Sequence, residues 1–178
     1  MGWHDVNIHA VAFRAELFEF WLDVDYIFSW VHPQGEETHF RFWVAPATLV
    51  FTNVHSLRFD LESHDGDLSL QGIERSEPSP ARNAEYLAKK TEWLWLLDCN
   101  EGEITFSSVG FSQFIRRPPV LLQAQQLTLE ERVGFHLPQI MLPNHALQRT
   151  AACQRSLSLL DFSRPRLYVL ENPSSGEN

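Results

Sequence analysis

Two carboxylates stand two residues apart in the segment Leu22-Asp-Val-Asp-Tyr-Ile27. On a β-strand, residues i and i+2 project from one face, so Asp23 and Asp25 would lie side by side. On a helix they would diverge by about 200°. Side by side, they could hold a divalent cation or split their proton affinities for acid–base work. The neighbouring residues are apolar, and a buried carboxylate needs a partner. The alternative to chemistry is that both face solvent, or that one pairs across the sheet with an arginine such as Arg41 or Arg58. Trp3-His4-Asp5 supplies a stacking surface, an imidazole and a carboxylate. It reads either as a small-ligand contact near a barrel mouth or as a tryptophan plugging one end of the core.

Eight histidines are many for 178 residues, but none forms a His-x-His or His-x-x-x-His pair. Zinc needs three or four converging ligands, so neither a metal site nor a cofactor is expected. There is no Gly-x-Ser-x-Gly elbow, and no glycine-rich loop opens a helix to cradle phosphates. No catalytic residue is assigned. The candidate ligand contacts are Trp3, His4, Asp5, Asp23, Asp25, Trp30, Gln113 and Arg116.

The balance of 14 basic and 23 acidic residues gives a net charge of −9. That argues against a nucleic-acid groove or an anionic-membrane footprint, both of which need a basic surface. The basic–aromatic cluster Phe111, Phe114, Arg116, Arg117 is too small to form one. Cys99 and Cys153 lack CxxC partners and read as thiols. No basic segment is followed by an apolar core near Met1, so the sequence predicts a cytoplasmic protein without a secretory leader.

The elements that must position these residues read as antiparallel β. Val6, Ile8 and Ala10 alternate with polar neighbours, as do Leu57, Phe59 and Leu61. Phe40, Phe42 and Val44 alternate and stop at Pro46; Thr48–Phe51 follows as a separate run rich in β formers. The stretch from Leu17 to Val31 fits both a helical stripe and a strand, and its aromatic and β-branched content favours the strand. Asp65-Gly66 is read as a tight hairpin turn. Trp93–Leu97, Glu103–Val109 and Phe111–Ile115 complete the set, with Gly110 as a bulge. The irregular stretch Ser76–Glu85 is expected to be a mobile rim. Thr128-Leu-Glu-Glu131 has the spacing of a capping box and predicts one short helix near 128–134. The expected fold is therefore all-β, mainly antiparallel: a sandwich or barrel of about eight or nine short strands.

A change in character near residue 133 sets the domain boundary. Residues 1–132 carry 10 basic and 20 acidic groups and all six tryptophans; residues 133–178 carry 4 basic and 3 acidic groups and four prolines. The first part is read as the domain and the second as an appendage, partly ordered at best. Within it, Leu157–Leu160 is a candidate short element and Arg166–Leu170 a candidate edge strand.

The blocks Trp3-His-Asp5, Leu22–Ile27, Trp30, Phe42-Trp-Val-Ala-Pro-Ala-Thr-Leu-Val-Phe51, Gly102-Glu-Ile-Thr-Phe106 and Gly110-Phe-Ser-Gln113 together resemble a family of small bacterial proteins with no assigned activity. The resemblance spans about residues 3–130 and brings no catalytic residues. The function expected is a non-enzymatic binding module for a protein or ligand, in one version an immunity-type protein that blocks a basic toxin. The alternative is a barrel carrying a small apolar ligand among Phe18, Phe20, Phe40, Phe42, Trp93 and Trp95. A third reading is an enzyme acting through Asp23 and Asp25. An exposed edge could also support a homodimer.

Overall fold

A computed structural model describes residues 3–132 and, as backbone, residues 168–171. Along the chain run β1 (Val6–Arg14), β2 (Glu19–Val31), β3 (Arg41–Thr52), β4 (His55–Leu61), β5 (Ser69–Arg75), β6 (Ser79–Pro80), β7 (Thr91–Cys99), β8 (Gly102–Ser108), β9 (Phe111–Ile115), β10 (Val120–Leu122), the helix α1 (Leu129–Arg132) and β11 (Tyr168–Glu171). All pairings between them are antiparallel, in the order β11-β9-β3-β2-β1-β5-β7-β8-β4, with β10 also beside β3 and β6 beside β7. The path does not close, so the all-β fold is sandwich-like.

The ambiguous segment is a strand, with a single 3-10 turn at Ala15–Leu17 before it. Phe20, Leu22 and Val24 face inward. The two layers meet through rings: Phe51 of β3 lies 4.7 Å from Phe106 of β8 and 5.4 Å from Trp95 of β7. Phe20 of β2 lies 5.3 Å from Phe106. Strand β1 joins the layers, giving Val6 and Asn7 to β5 and Ile8–Arg14 to β2.

Two sequence expectations change here. Pro46 does not end a strand: β3 runs from Arg41 through it to Thr52. The proline is tolerated because its outer neighbour changes at that point. Val44 pairs with Val120 of β10, Ala47 pairs with Ile115 of β9, and the Pro46 carbonyl accepts from the Arg116 N–H at 2.9 Å in between. In an antiparallel ladder the N–H and C=O of one residue point the same way, so the missing donor faces the break. Asp65-Gly66 does make a turn, with Gly66 at φ 89°, but it closes no hairpin. Strands β4 and β5 are separated by the β7–β8 hairpin, a Greek-key order. Glu101 at the tip of that hairpin holds the crossing loop: its carbonyl accepts from the Glu62 N–H and its carboxylate from the Ser69 N–H, both at 2.8 Å.

The stretch 76–85 is pinned rather than loose, through β6 and through the Ser76 N–H donated to the Leu94 carbonyl at 2.9 Å. The capping box is present. Glu131 N–H donates to Thr128 Oγ1 at 3.3 Å, and Thr128 N–H donates to Glu131 Oε2 at 2.8 Å. Strand β11 pairs with β9 and overlaps the expected edge segment Arg166–Leu170, ending one residue later at Glu171, whereas Leu157–Leu160 lies outside the described residues.

Candidate functional site

Strand alternation places Asp23 and Asp25 together on the outer face of β2, opposite Thr48 and Pro46 of β3. Both are nevertheless buried, at 1% and 0% exposure. The segment after β9 covers them. Arg132, in the single turn of α1, donates from Nη2 to Asp23 Oδ1 at 2.7 Å and from Nη1 to Asp25 Oδ1. Arg116, one residue past β9 on the same face, donates from Nη2 to Asp23 Oδ1. The Leu127 N–H donates to Asp25 Oδ2 at 3.0 Å.

His9 is the fifth member. It follows inward-facing Ile8 on β1, so alternation puts its ring on the outer face, beside a register slip between Ile8 and Ala10. Its Nε2–H donates to Asp25 Oδ2 at 2.7 Å. Two carboxylates thus face two guanidiniums, with an imidazole at the rim. Burial pushes the Arg116 guanidinium below its usual value, while the Asp23 carboxylate opposes that shift.

The arginine partners are not those named from sequence. Arg41 pairs with Glu37 at 3.6 Å and Arg58 with Asp60 at 2.8 Å. Arg132 carried no local signal, being 107 residues from Asp25 in the chain. The arrangement is a clamp: the two guanidiniums and the Leu127 N–H hold the buried carboxylates. Among the described residues no group of three or more His, Cys, Asp or Glu is placed to hold a metal ion.

The other candidates lie apart from this clamp. Trp3 packs edge-on at 5.0 Å from Tyr26 and 6.0 Å from Phe111, at one end of the core. His4 is exposed, and Asp5 accepts from Gln125 Nε2 at 3.5 Å. Gln113 faces inward opposite Leu49, on the other face of β9 from Arg116. Its buried Nε2 has no hydrogen-bond partner among the described residues. Of the six rings expected around an interior ligand, Phe20 and Trp95 are buried in the packed core, whereas Phe18 and Phe40 are exposed.

Trp30 belongs to a separate feature. Beyond Val24, β2 has left β1 and continues with β3 as a hairpin. Trp30 stands opposite Phe42, at 5.3 Å between ring centroids, and 5.7 Å from Phe40; His32 lies 5.0 Å from Phe40. Phe42 still touches the core, but Trp30 and Phe40 remain 38% and 37% exposed. Along β3, Phe42 shares the face of Val44, Pro46 and Thr48, so these rings lie on the same outer face as the clamp, farther along the hairpin. Beside it lies a depression of about 500 Å³ lined by Glu36, Glu37, Thr38, His39, Arg41 and Gln123. No family model, no curated protein and no solved structure matches the chain.

Proposed function

We propose that this chain is a protein-binding module that presents the loop end of the β2–β3 hairpin to a basic partner. The observation that carries this reading is the cluster of touching rings, Trp30, His32, Phe40 and Phe42, with Trp30 and Phe40 left partly exposed at the loop end of the hairpin. Aromatic anchors ringed by polar groups are the usual anatomy of an interface hot spot. The Glu36 and Glu37 carboxylates beside the rings, and the net charge of −9, favour a lysine- or arginine-bearing surface. An immunity-type role against a basic toxin is the most concrete version.

The test is calorimetry of the full chain against the products of genes adjacent to its own, with wild type and a Trp30→Ala/Phe40→Ala pair. Binding at micromolar Kd or tighter, weakened at least about 30-fold in the pair, supports the reading; hot-spot truncations typically cost about 2 kcal/mol or more. No binding, or binding indifferent to both rings, overturns it. A small apolar ligand in the interior is the second reading. The interior feature that bears on it is the orphaned Gln113 amide nitrogen, which only a ligand carrying a polar acceptor would satisfy. Native mass spectrometry of the purified chain tests it, since a ligand-carrying form must be heavier than the bare chain.

A further inference from the structure

Backbone strain gathers where β3 bends into β4. Of the non-glycine residues with positive φ, Phe18 (54°), Asn53 (53°), Ser56 (55°) and Asn83 (61°) lie on segments that meet there. The Val54 N–H donates to the Phe18 carbonyl at 2.8 Å, and Asn53 Nδ2 donates to the Arg82 carbonyl at 3.3 Å. Such conformations persist only where the surroundings over-determine them, and they concentrate at functional sites.

Ser56 shows what the strain achieves. In a regular strand, His55 and Ser56 would point to opposite faces. The β4–β8 register slips between His55 and Arg58, and the left-handed Ser56 turns its hydroxyl back onto its neighbour. Ser56 Oγ lies 3.1 Å from His55 Nδ1. The other ring nitrogen, Nε2, donates to the Glu92 carboxylate at 3.1 and 3.2 Å. Glu92 is only 8% exposed and accepts the Arg82 N–H at 2.8 Å. A carboxylate held at Nε2 fixes the proton there, which leaves Nδ1 as the acceptor of the neutral ring. The Ser56 hydroxyl is the donor that faces it. Hydroxyl, imidazole and buried carboxylate thus stand in the order of an activated nucleophile, its base and the group that orients the base.

We propose that Ser56, His55 and Glu92 form a reactive-serine site, distinct from the aromatic hairpin, that takes the acyl group of a small carboxylic ester. Two residues before His55, Asn53 lines a depression of about 300 Å³ together with Leu17, Phe18, Leu87 and Lys89. Ser56, His55 and Glu92 do not line this depression, which borders the site through Asn53 and has the volume of a short apolar group. In the first step Ser56 Oγ bonds to the ester carbonyl carbon while His55 Nδ1 takes the hydroxyl proton. The tetrahedral centre then breaks its bond to the alkoxy oxygen, which leaves as the alcohol with that proton. Water, giving a proton to the same nitrogen, adds to the acyl-serine; the carboxylic acid leaves and Ser56 recovers its hydrogen. Nothing is oxidised or reduced.

The experiment treats the full chain with a fluorophosphonate probe and, separately, with p-nitrophenyl acetate, followed by intact mass and peptide mapping. The expected result is one adduct, on Ser56, and a burst of nitrophenol equal to the protein present. Ser56→Gly, which suits the positive φ and keeps the fold, abolishes both. His55→Gln slows labelling at least about 100-fold, the usual scale of general-base assistance. Glu92→Gln slows it and changes its pH profile, a readout that a purely structural carboxylate would not move. No adduct on Ser56 in folded wild-type chain overturns the proposal. Labelling at unchanged rate in folded His55→Gln also overturns it.

Discussion

At the residue scale, the Asp23–Asp25 clamp sets the largest expected effects. Removing one partner of a buried ion pair leaves an uncompensated charge and costs about 3–5 kcal/mol. Arg132→Met and Asp25→Asn are therefore each expected to lower the urea midpoint steeply. The exposed Arg58–Asp60 pair, at the same kind of distance, is worth no more than about 1 kcal/mol, so Arg58→Ala is expected to leave the midpoint nearly unchanged. Equal losses at both places would mean that the clamp is not closed in solution. Cys99 yields a second prediction. Burial first, then the Glu101 and Asp98 carboxylates, push its thiol up to about 11 from an ordinary value of 9. The folded state then holds its proton while the unfolded state releases it. This contribution to stability is intact below pH 9 and is lost as pH rises from 9 to 11. The Tyr26 hydroxyl, raised by burial, acts in the same direction. Urea midpoints are expected to fall over that range, and a thiol reagent at pH 8 to spare Cys99 until the chain unfolds.

At the element scale, a glycine pair separates strain from crowding. A Cβ on Gly102 would stand 2.1 Å from the Asp60 carbonyl oxygen of β4, at φ 130°, so backbone must move. Gly66 also has positive φ, but its added Cβ would meet open space. Gly102→Ala is expected to cost about 3 kcal/mol or more, and Gly66→Ala about 1 kcal/mol, in chemical denaturation. Near-equal values would contradict the close β4–β8 contact. The same two turns mark what the sequence could reveal. Alternation identified most of the strands, because burial on one face imposes a period of two; β2, buried on both faces for much of its length, fitted a helical stripe as well and was read from its aromatic and β-branched content. Asp65-Gly66 carries the chemistry of a turn but not the identity of the strands it serves. Partners are chosen by non-local burial, and the β7–β8 hairpin fits between β4 and β5 instead. Pro46 misled for a related reason: a missing donor matters only where a neighbouring strand would use it. Asp23 and Asp25 were legible as a pair, since strand period alone aligns them. Arg132 was not, because its approach depends on how a distant segment crosses the sheet face; the face of His9 follows from alternation, but its place beside Asp25 depends on the β1–β2 register.

At the scale of the whole molecule, the clamp ties the segment after β10 to the sheet. The charge and tryptophan content of the sequence change near residue 133, next to Arg132. A fragment of residues 1–132 keeps both guanidiniums over the carboxylates. One of residues 1–126 loses Arg132 and the Leu127 N–H together, although it keeps β1 through β10. If the carboxylates are held mainly by the strands around them, the two fragments should unfold alike. If the final turn of helix neutralises them, the shorter fragment should lose cooperative unfolding and the longer one keep it. The second outcome is expected, because the shorter fragment leaves two buried carboxylates to Arg116 and His9. Near-ultraviolet dichroism during urea unfolding reports on this directly, since the tryptophans of both layers lie within either fragment. A cooperative, tryptophan-reporting transition in the 1–126 fragment, at the midpoint of the longer one, would show that the clamp fastens the covering segment without sustaining the sheet beneath it.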